Sequence, residues 1–372
     1  MAVVDLRGVG PVASAAAALA ATAVLASAAL MLGGYDPLEA GAALVSGAFG
    51  GVQPLLSITL VRAVPLILTG LAVAVAFRAG IWNIGAEGQL YAGAIAAAWV
   101  GLSAPDLPAP LLVPAVLAAS VVGGAVWALV PTLMKLRLGV GEVITTILMN
   151  FVGINLAAWV VHGPLQEARG VFPQTDPIAE AGRLPVIVPG TRLHLGFVLA
   201  VVLAVGLWAF LRFTRAGFSV RAVGASADAA RVAARVPARR VIFVVFLASG
   251  AMAGLAGGVE VAGVTHALYE NLSPGWGYTA IAVALLAGLH PLAVLATGVF
   301  FGALQAGAGA MQRTAGIPAV WVGAVEAMVI LSVLAVDQLR RRVVRGDGGE
   351  GGPGGAPAED PPVTAGGEVA RA

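Results

Sequence analysis

Apolar residues run through this sequence in stretches long enough to read as helices, at 11–32, 55–77, 81–102, 110–134, 142–162, 195–213, 241–264, 275–289, 291–311 and 319–337. A helix needs about 20 apolar residues to cross a bilayer, so the pattern predicts an all-α, polytopic transmembrane bundle of about ten spans. The stretch at 55–77 carries Arg62 and Pro65 near its start, and 275–289 is short enough to be re-entrant. The first stretch exceeds the roughly 7–15 residue core of a signal peptide and reads as a retained span, although its alanine-rich composition also suits a cleaved signal.

Polar segments divide the apolar ones. Residues 163–194, with Pro164, Pro173, Pro177, Pro185 and Pro189 among mixed charges, read as an ordered external loop. Residues 214–240 hold a helix-compatible stretch, Ser226 to Ala234, preceded by Gly224 and ended near Pro237. After Arg345 the chain turns to Gly, Pro, Glu and Asp, which predicts a membrane domain over 1–340 and a disordered cytoplasmic tail over 346–372.

Lys and Arg accumulate in short cytoplasmic loops. One side receives Arg78, Lys135, Arg137, Arg212, Arg215, Arg221, Arg231, Arg235, Arg239, Arg240, Arg340, Arg341, Arg342 and Arg345, and the other only Arg62, Arg169, Arg183, Arg192 and Arg313. This asymmetry predicts a plasma-membrane protein with both termini in the cytoplasm.

Composition agrees with insertion in lipid. Of 372 residues 59% are apolar and 11% charged, against roughly 45–50% and 25% in a soluble domain. The basic residues sit between apolar segments and form no exposed stripe, so nucleic acid is not an expected partner whereas membrane lipid is. Absence of cysteine removes disulfides, thiolate metal sites and cysteine nucleophiles. His162, His194, His266 and His290 lack metal-ligand spacing, so no metal site is expected. A Gly-x-Ser-x-Gly elbow is missing, and the sole lysine, Lys135, follows Met134 and not a glycine. The chain therefore has no Walker-type ATPase site, and the expectation is a non-enzyme that binds no cofactor.

The stretch Phe77 to Leu90 places a charge, amides and Gly80, Gly85 and Gly88 between two apolar spans. Broken helices in transporters expose backbone dipoles that can hold substrate. The alternative is a short turn in which Asn83 and Glu87 cap the next helix, and the residues leave both open. Along the span that starts at Glu142, residues 142, 146, 149 and 150 share one face, which either lines a pathway or packs against another helix. The small-xxx-small spacing of Gly250, Gly254 and Gly258 predicts close helix packing. Glu260 and Glu326, acids in or near apolar spans, suit either a proton relay or a buried hydrogen-bond partner.

Three blocks in order carry a family resemblance. Asn83-Ile-Gly-Ala-Glu-Gly-Gln89, Gly139-Val-Gly-Glu-Val-Ile-Thr-Thr-Ile-Leu-Met-Asn150 followed by Asn155, and Arg221-Ala-Val-Gly-Ala225 leading to Ala229-Ala230-Arg231 resemble the permease subunits of bacterial nucleoside importers. These belong to the branched-chain amino acid, ribose and nucleoside permease superfamily. Gly163-Pro-Leu165 and Leu184-Pro185 fit its external loop, and the likeness runs from about Leu55 to Leu334. Arg235-Val-Pro237 departs from the Gly-Ile pair usual there, which leaves the end of the preceding helix open.

The resemblance implies the permease of an ATP-binding-cassette importer for a small polar solute, most simply a nucleoside. It implies a second permease copy or homologue, two ATP-binding subunits that use the ATP, and an extracytoplasmic substrate-binding lipoprotein or protein. Trp82, Asn83, Glu87, Gln89, Asn150 and Asn155 are then the candidates for the substrate pathway or for holding the broken helix. Gly224, Asp228, Ala229, Ala230 and Arg231 are candidates for the helix that couples to the ATPase. Rival readings are a ribose or galactose permease of the same superfamily and a proton-coupled secondary transporter.

Overall fold

The computed structural model describes residues 11–233 and 236–318, and single positions between 320 and 335. Within them the chain forms helices α1 (Pro11–Leu32), α2 (Pro37–Phe49), α3 (Val52–Pro54), α4 (Leu60–Arg78), α5 (Ala86–Ser103), α6 (Ala109–Leu138), α7 (Glu142–His162), α8 (Gly196–Phe213), α9 (Arg215–Ala225), α10 (Ala227–Ala233), α11 (Ala238–Glu260), α12 (Trp276–Leu286) and α13 (Pro291–Thr314). No strand occurs among the described residues, where only single bridges join Gln174 to Tyr269 and Val186 to His194. Glu326, Arg235 and the predicted tail at 346–372 lie outside the described residues.

Six helices among the described residues are long and apolar enough to cross a membrane: Val52–Arg78, Ala109–Leu138, Glu142–His162, Gly196–Phe213, Ala238–Thr265 and Pro291–Thr314. The other expected spans fall short of that standard for physical reasons. Helix α5 has 18 residues but begins with Glu87 and Gln89, and α12 has only 11 residues. In α1 the apolar helix with described side chains is Ala20–Leu32, and the stretch at 319–337 is described only in part.

The bundle is built around α4, whose side chains from Val64 to Ala76 are all buried although Pro65 interrupts its hydrogen bonding. Helices α5, α6 and α11 close on one another through glycines. A Cβ at Gly93 would strike the backbone of Gly254, and one at Gly124 the backbone of Gly250 and Gly254. Without Cβ atoms these helices pack backbone to backbone, the close approach that small residues allow in a membrane. The outer helices show the opposite pattern, with Val122, Val126 and Val130 of α6 and Ile144, Leu148, Phe151 and Val152 of α7 exposed. Such stripes are unfavourable in water and cost nothing against lipid tails.

Two polar segments cap the bundle at opposite ends. Residues 163–195 form a strap fastened to the end of α11 and the turn after it, where Leu184 donates its N–H to the Ala262 carbonyl (2.8 Å), Ile178 to His266 (2.8 Å) and Thr175 to Leu268 (3.0 Å). At the arginine-rich end, segment 214–240 folds into α9 and α10. Thr214 Oγ1 caps α9 by accepting from the Gly217 N–H at 2.9 Å, and Ser226 Oγ caps α10 by accepting from Ala229 at 3.2 Å.

Candidate functional site

The polar centre of the molecule is the turn between α4 and α5. Helix α4 ends at Arg78, Gly80 takes a left-handed φ of 74°, and α5 restarts at Ala86 with Gly85 as its N-cap. A broken helix inside a bundle leaves backbone groups that no water can satisfy. Amides from three elements meet that need. Asn83 Nδ2 donates to Gln89 Oε1 at 3.0 Å and to Ser249 Oγ at 2.8 Å, while Asn83 Oδ1 accepts from the Gly85 N–H at 3.0 Å and from Gln89 Nε2 at 3.1 Å. Ser249 Oγ in turn donates to the Ala72 carbonyl at 2.7 Å, which ties α11 to α4.

From α7, Asn150 spans the same turn. Its Nδ2 donates to the Ile84 carbonyl at 2.8 Å and its Oδ1 accepts from the Gly88 N–H at 2.8 Å. Thr146 Oγ1 accepts from the Ile84 N–H at 3.3 Å. Close approach is possible because Gly88 and Gly153 face each other without side chains. Asn83, Gln89 and Asn150 are all buried.

Glu87 is buried one helical turn from these amides and reaches another helix end. Its Oε2 accepts from the Gly277 N–H of α12 at 2.6 Å. A carboxyl oxygen there satisfies one of the N–H groups left free at the start of α12. Ser273 completes the cap by accepting from the Gly275 and Trp276 N–H groups at 3.1 and 2.9 Å, and the Ser273 N–H donates to Tyr91 Oη at 3.2 Å. The half-helix α12 thus begins inside the bundle, against α5.

Four of the six pathway candidates, Asn83, Glu87, Gln89 and Asn150, are therefore brought together at the helix break. The other two stand apart. Trp82 is exposed, with its ring 4.8 Å from that of Phe77. Asn155 is also exposed and donates to the Phe151 carbonyl of its own helix at 2.7 Å. Glu142 sits near Trp82 and holds Lys135 in an ion pair of 2.6 Å.

Sequence reading missed a second polar group. Arg62 of α4 donates to the Gln305 carbonyl of α13 at 3.2 Å, and Trp276 Nε1 donates to Gln305 Oε1 at 3.2 Å. Tyr278, two residues along α12 and so on its other side, is exposed by 38% and lies against Asn150 and Glu87. Arg62, Trp276 and Gln305 stand roughly 15–25 Å along their helices from the arginine-rich end at a rise of 1.5 Å per residue, inside the apolar stretches. Exposed polar groups at that depth are costly unless they face water, protein or solute. The isolated arginine and glutamine inside apolar runs were the available signal.

Among the coupling candidates, Gly224 is the seat. A Cβ on it would collide with the Arg78 carbonyl, and its Cα lies 3.5 Å from the Cβ position of Gly80. Helix α9 therefore rests on the turn whose far side carries the amides. Ala230 is buried with Val223 and Val236, whereas Asp228 and Arg231 are exposed and paired with each other at 3.4 Å. Ala229 is exposed beside them.

At the strap end, His194 is buried and its Nδ1 accepts from the Gly196 N–H at 3.2 Å. Burial pushes its pKa down to about 4, and the neighbouring His266 and Arg192 add to the shift. Glu260, buried where α11 passes into a π-turn at Val261–Thr265, lies in the field of Arg192 and Arg62.

Residues 55–334 match the family described as branched-chain amino acid transport system / permease component. A glucose ABC transporter permease protein of Haloferax volcanii is 37% identical, over 89% of this chain and 88% of that one. A guanosine ABC transporter permease protein of Bacillus subtilis is 36% identical over 84% of this chain and 89% of its own. For a nucleoside ABC transporter permease protein of Lactococcus lactis the identity is 32%, with 81% and 84% covered. No solved structure matches the chain.

Proposed function

The chain belongs to the branched-chain amino acid transport system permease family and is an ABC transporter permease, and from that premise we propose that it carries nucleosides inward as the conduit of an ATP-driven importer. The observation that carries the mechanism is the contact of α9 with the broken helix: Gly224 lies on the Arg78 carbonyl, and the same turn leads into the Asn83, Gln89 and Asn150 hydrogen bonds. A push on the exposed Asp228–Arg231 surface by an ATP-binding subunit would pass as rigid-body motion into α4, α5 and α12. The arginine-rich end is then cytoplasmic and the strap at 163–195 faces the substrate-binding protein.

In this reading the bundle has about ten spans, with α1, α5, α12 and the stretch at 319–337 counted beside the six long apolar helices, and α5 and α12 are discontinuous helices at the centre of a conduit. Asn83, Glu87, Gln89 and Asn150 hold the break and do not touch solute. The solute instead meets the exposed Tyr278 and Arg62 and the half-buried Gln305, with the buried Trp276 behind the glutamine, where a flat base stacks on the tyrosine ring and ribose hydroxyls find amide and guanidinium partners. A second permease chain covers that face, and two ATP-binding subunits supply the energy.

The glucose permease relative, at 37% identity, gives a specific reason to keep a sugar as the second reading. A deletion strain carrying this chain with its partner subunits would be offered radiolabelled guanosine, uridine and glucose. Restored nucleoside uptake supports the proposal, and restored glucose uptake with no nucleoside uptake overturns it in favour of the sugar. Uptake by the purified chain alone under a proton gradient would replace both with a secondary transporter.

A further inference from the structure

We propose that the arginine-rich end of the bundle contains a binding site for a phosphate group, set between the ends of α4, α8 and α13 and one face of α9. A small cavity of about 120 Å³ opens there, lined by Arg78, Arg212, Arg221, His290 and Trp208. Its volume equals that of about four waters in the liquid, room for a tetrahedral phosphate with its five heavy atoms.

The chemistry of the lining is one-sided. Three guanidiniums and an imidazole converge, and Arg78 and Arg221 lie close enough to repel each other. Among the described residues, the ion pairs formed by acidic groups involve Lys135, His162, Arg183 and Arg231, and none reaches these three arginines. Arg78 spends its Nε hydrogen on the Leu289 carbonyl at 2.8 Å, whereas Arg221 Nε is buried and has no acceptor. A buried N–H without a partner is costly, and like charges in a shared pocket are costly as well. One anion with several acceptor oxygens removes both costs, and phosphate is an anion that guanidinium groups bind bidentately, with oxygens enough for three of them.

The position gives such a ligand a role. Arg221 and Gly224 are on α9, and Arg78 ends α4 at the carbonyl on which Gly224 rests. A phosphate held by Arg78, Arg212 and Arg221 therefore bridges α9 to the spanning helices and stiffens the seat through which motion enters the bundle. The phosphate belongs either to an anionic lipid, whose headgroup lies at this depth of the cytoplasmic leaflet, or to a free phosphate in solution.

Thermal unfolding of the full-length chain separates these sources. One arm compares potassium phosphate with potassium chloride at equal ionic strength in a neutral detergent. The other compares nanodiscs of phosphatidylglycerol with nanodiscs of phosphatidylcholine. The expected result is a rise in midpoint of several degrees in at least one arm, retained by Arg215→Gln and lost in the Arg212→Gln/Arg221→Gln double variant. Response to phosphatidylglycerol alone assigns a lipid headgroup, and response to phosphate in detergent assigns a soluble anion. The Arg221→Lys variant, which keeps the charge without the fork, guards against misfolding and should keep a reduced response. Absence of a response in both arms overturns the site, as does an equal response in wild type and double variant. Loss of the response in Arg215→Gln also overturns it, by reducing the effect to general surface charge.

Discussion

Replacing Asn150 by alanine removes two hydrogen bonds that serve main-chain groups at a helix break, and α7 supplies its own control in Asn155. In Asn150→Ala the Gly88 N–H and the Ile84 carbonyl lose partners at 2.8 Å each, in a place sealed by Gly88, Gly153 and Met149. An orphaned buried polar group costs about 1–3 kcal/mol, so the two together cost about 2–6 kcal/mol. Hydrogen bonds in membrane proteins have averaged nearer about 0.6 kcal/mol each, which sets a floor of about 1 kcal/mol. Asn155→Ala removes only a bond to the Phe151 carbonyl of its own helix on an exposed face, and its effect should stay within about 0.5 kcal/mol. Equilibrium unfolding of both variants in mixed micelles measures the difference. An Asn150→Ala variant within 0.5 kcal/mol of wild type, or one no worse than Asn155→Ala, would refute the view that this amide holds the break.

Gly224→Val should sharply reduce ATP-driven uptake and cost about 1–3 kcal/mol of stability, because its side chain must displace the Arg78 carbonyl; uptake and unfolding midpoints check this together. The Asp228→Ala/Arg231→Ala pair is exposed and should leave stability within about 0.5 kcal/mol while weakening co-purification with the ATP-binding subunit. Tyr278→Ala should raise the KM for the carried solute about tenfold with little change in unfolding, whereas Gln305→Ala should raise KM similarly and also lower stability by about 1–3 kcal/mol because the buried Trp276 Nε1–H loses its acceptor; concentration series of uptake and unfolding midpoints would show both. His194, with a native pKa of about 4 against 6.5 when unfolded, is neutral in the folded chain. Unfolding therefore takes up a proton below pH 6.5, and stability present above that pH is lost as the pH falls toward 4, by about 3 kcal/mol in all. In His194→Gln that part of the pH profile should flatten.

How much was legible without coordinates differs from element to element. The long apolar runs announce α4, α6, α7, α8, α11 and α13, because lipid demands an unbroken apolar helix and the demand is written residue by residue. The spacing of Gly250, Gly254 and Gly258 likewise announces tight packing, although not that Gly93 and Gly124 are the partners. Ser226 announces a helix start, since a cap acts on N–H groups two or three residues away, and Thr214 caps α9 in the same local way.

What the chain determined by itself is therefore local: which segments prefer lipid, where helices start, and where polar residues break them. Tertiary structure alone decided which way the amides face. Asn150 and Asn155 lie about 140° apart around one helix, and nothing within that helix distinguishes them. Asn150 turns inward because the α4–α5 break leaves the Ile84 carbonyl and Gly88 N–H unsatisfied, while Asn155 meets only its own helix. The apolar stretch at 275–289 announced α12 but not its cap, for the capping carboxyl group, Glu87, is supplied from a helix 190 residues away in the chain. Burial creates the demand for a partner, and only the packing of distant segments determines which residue meets it.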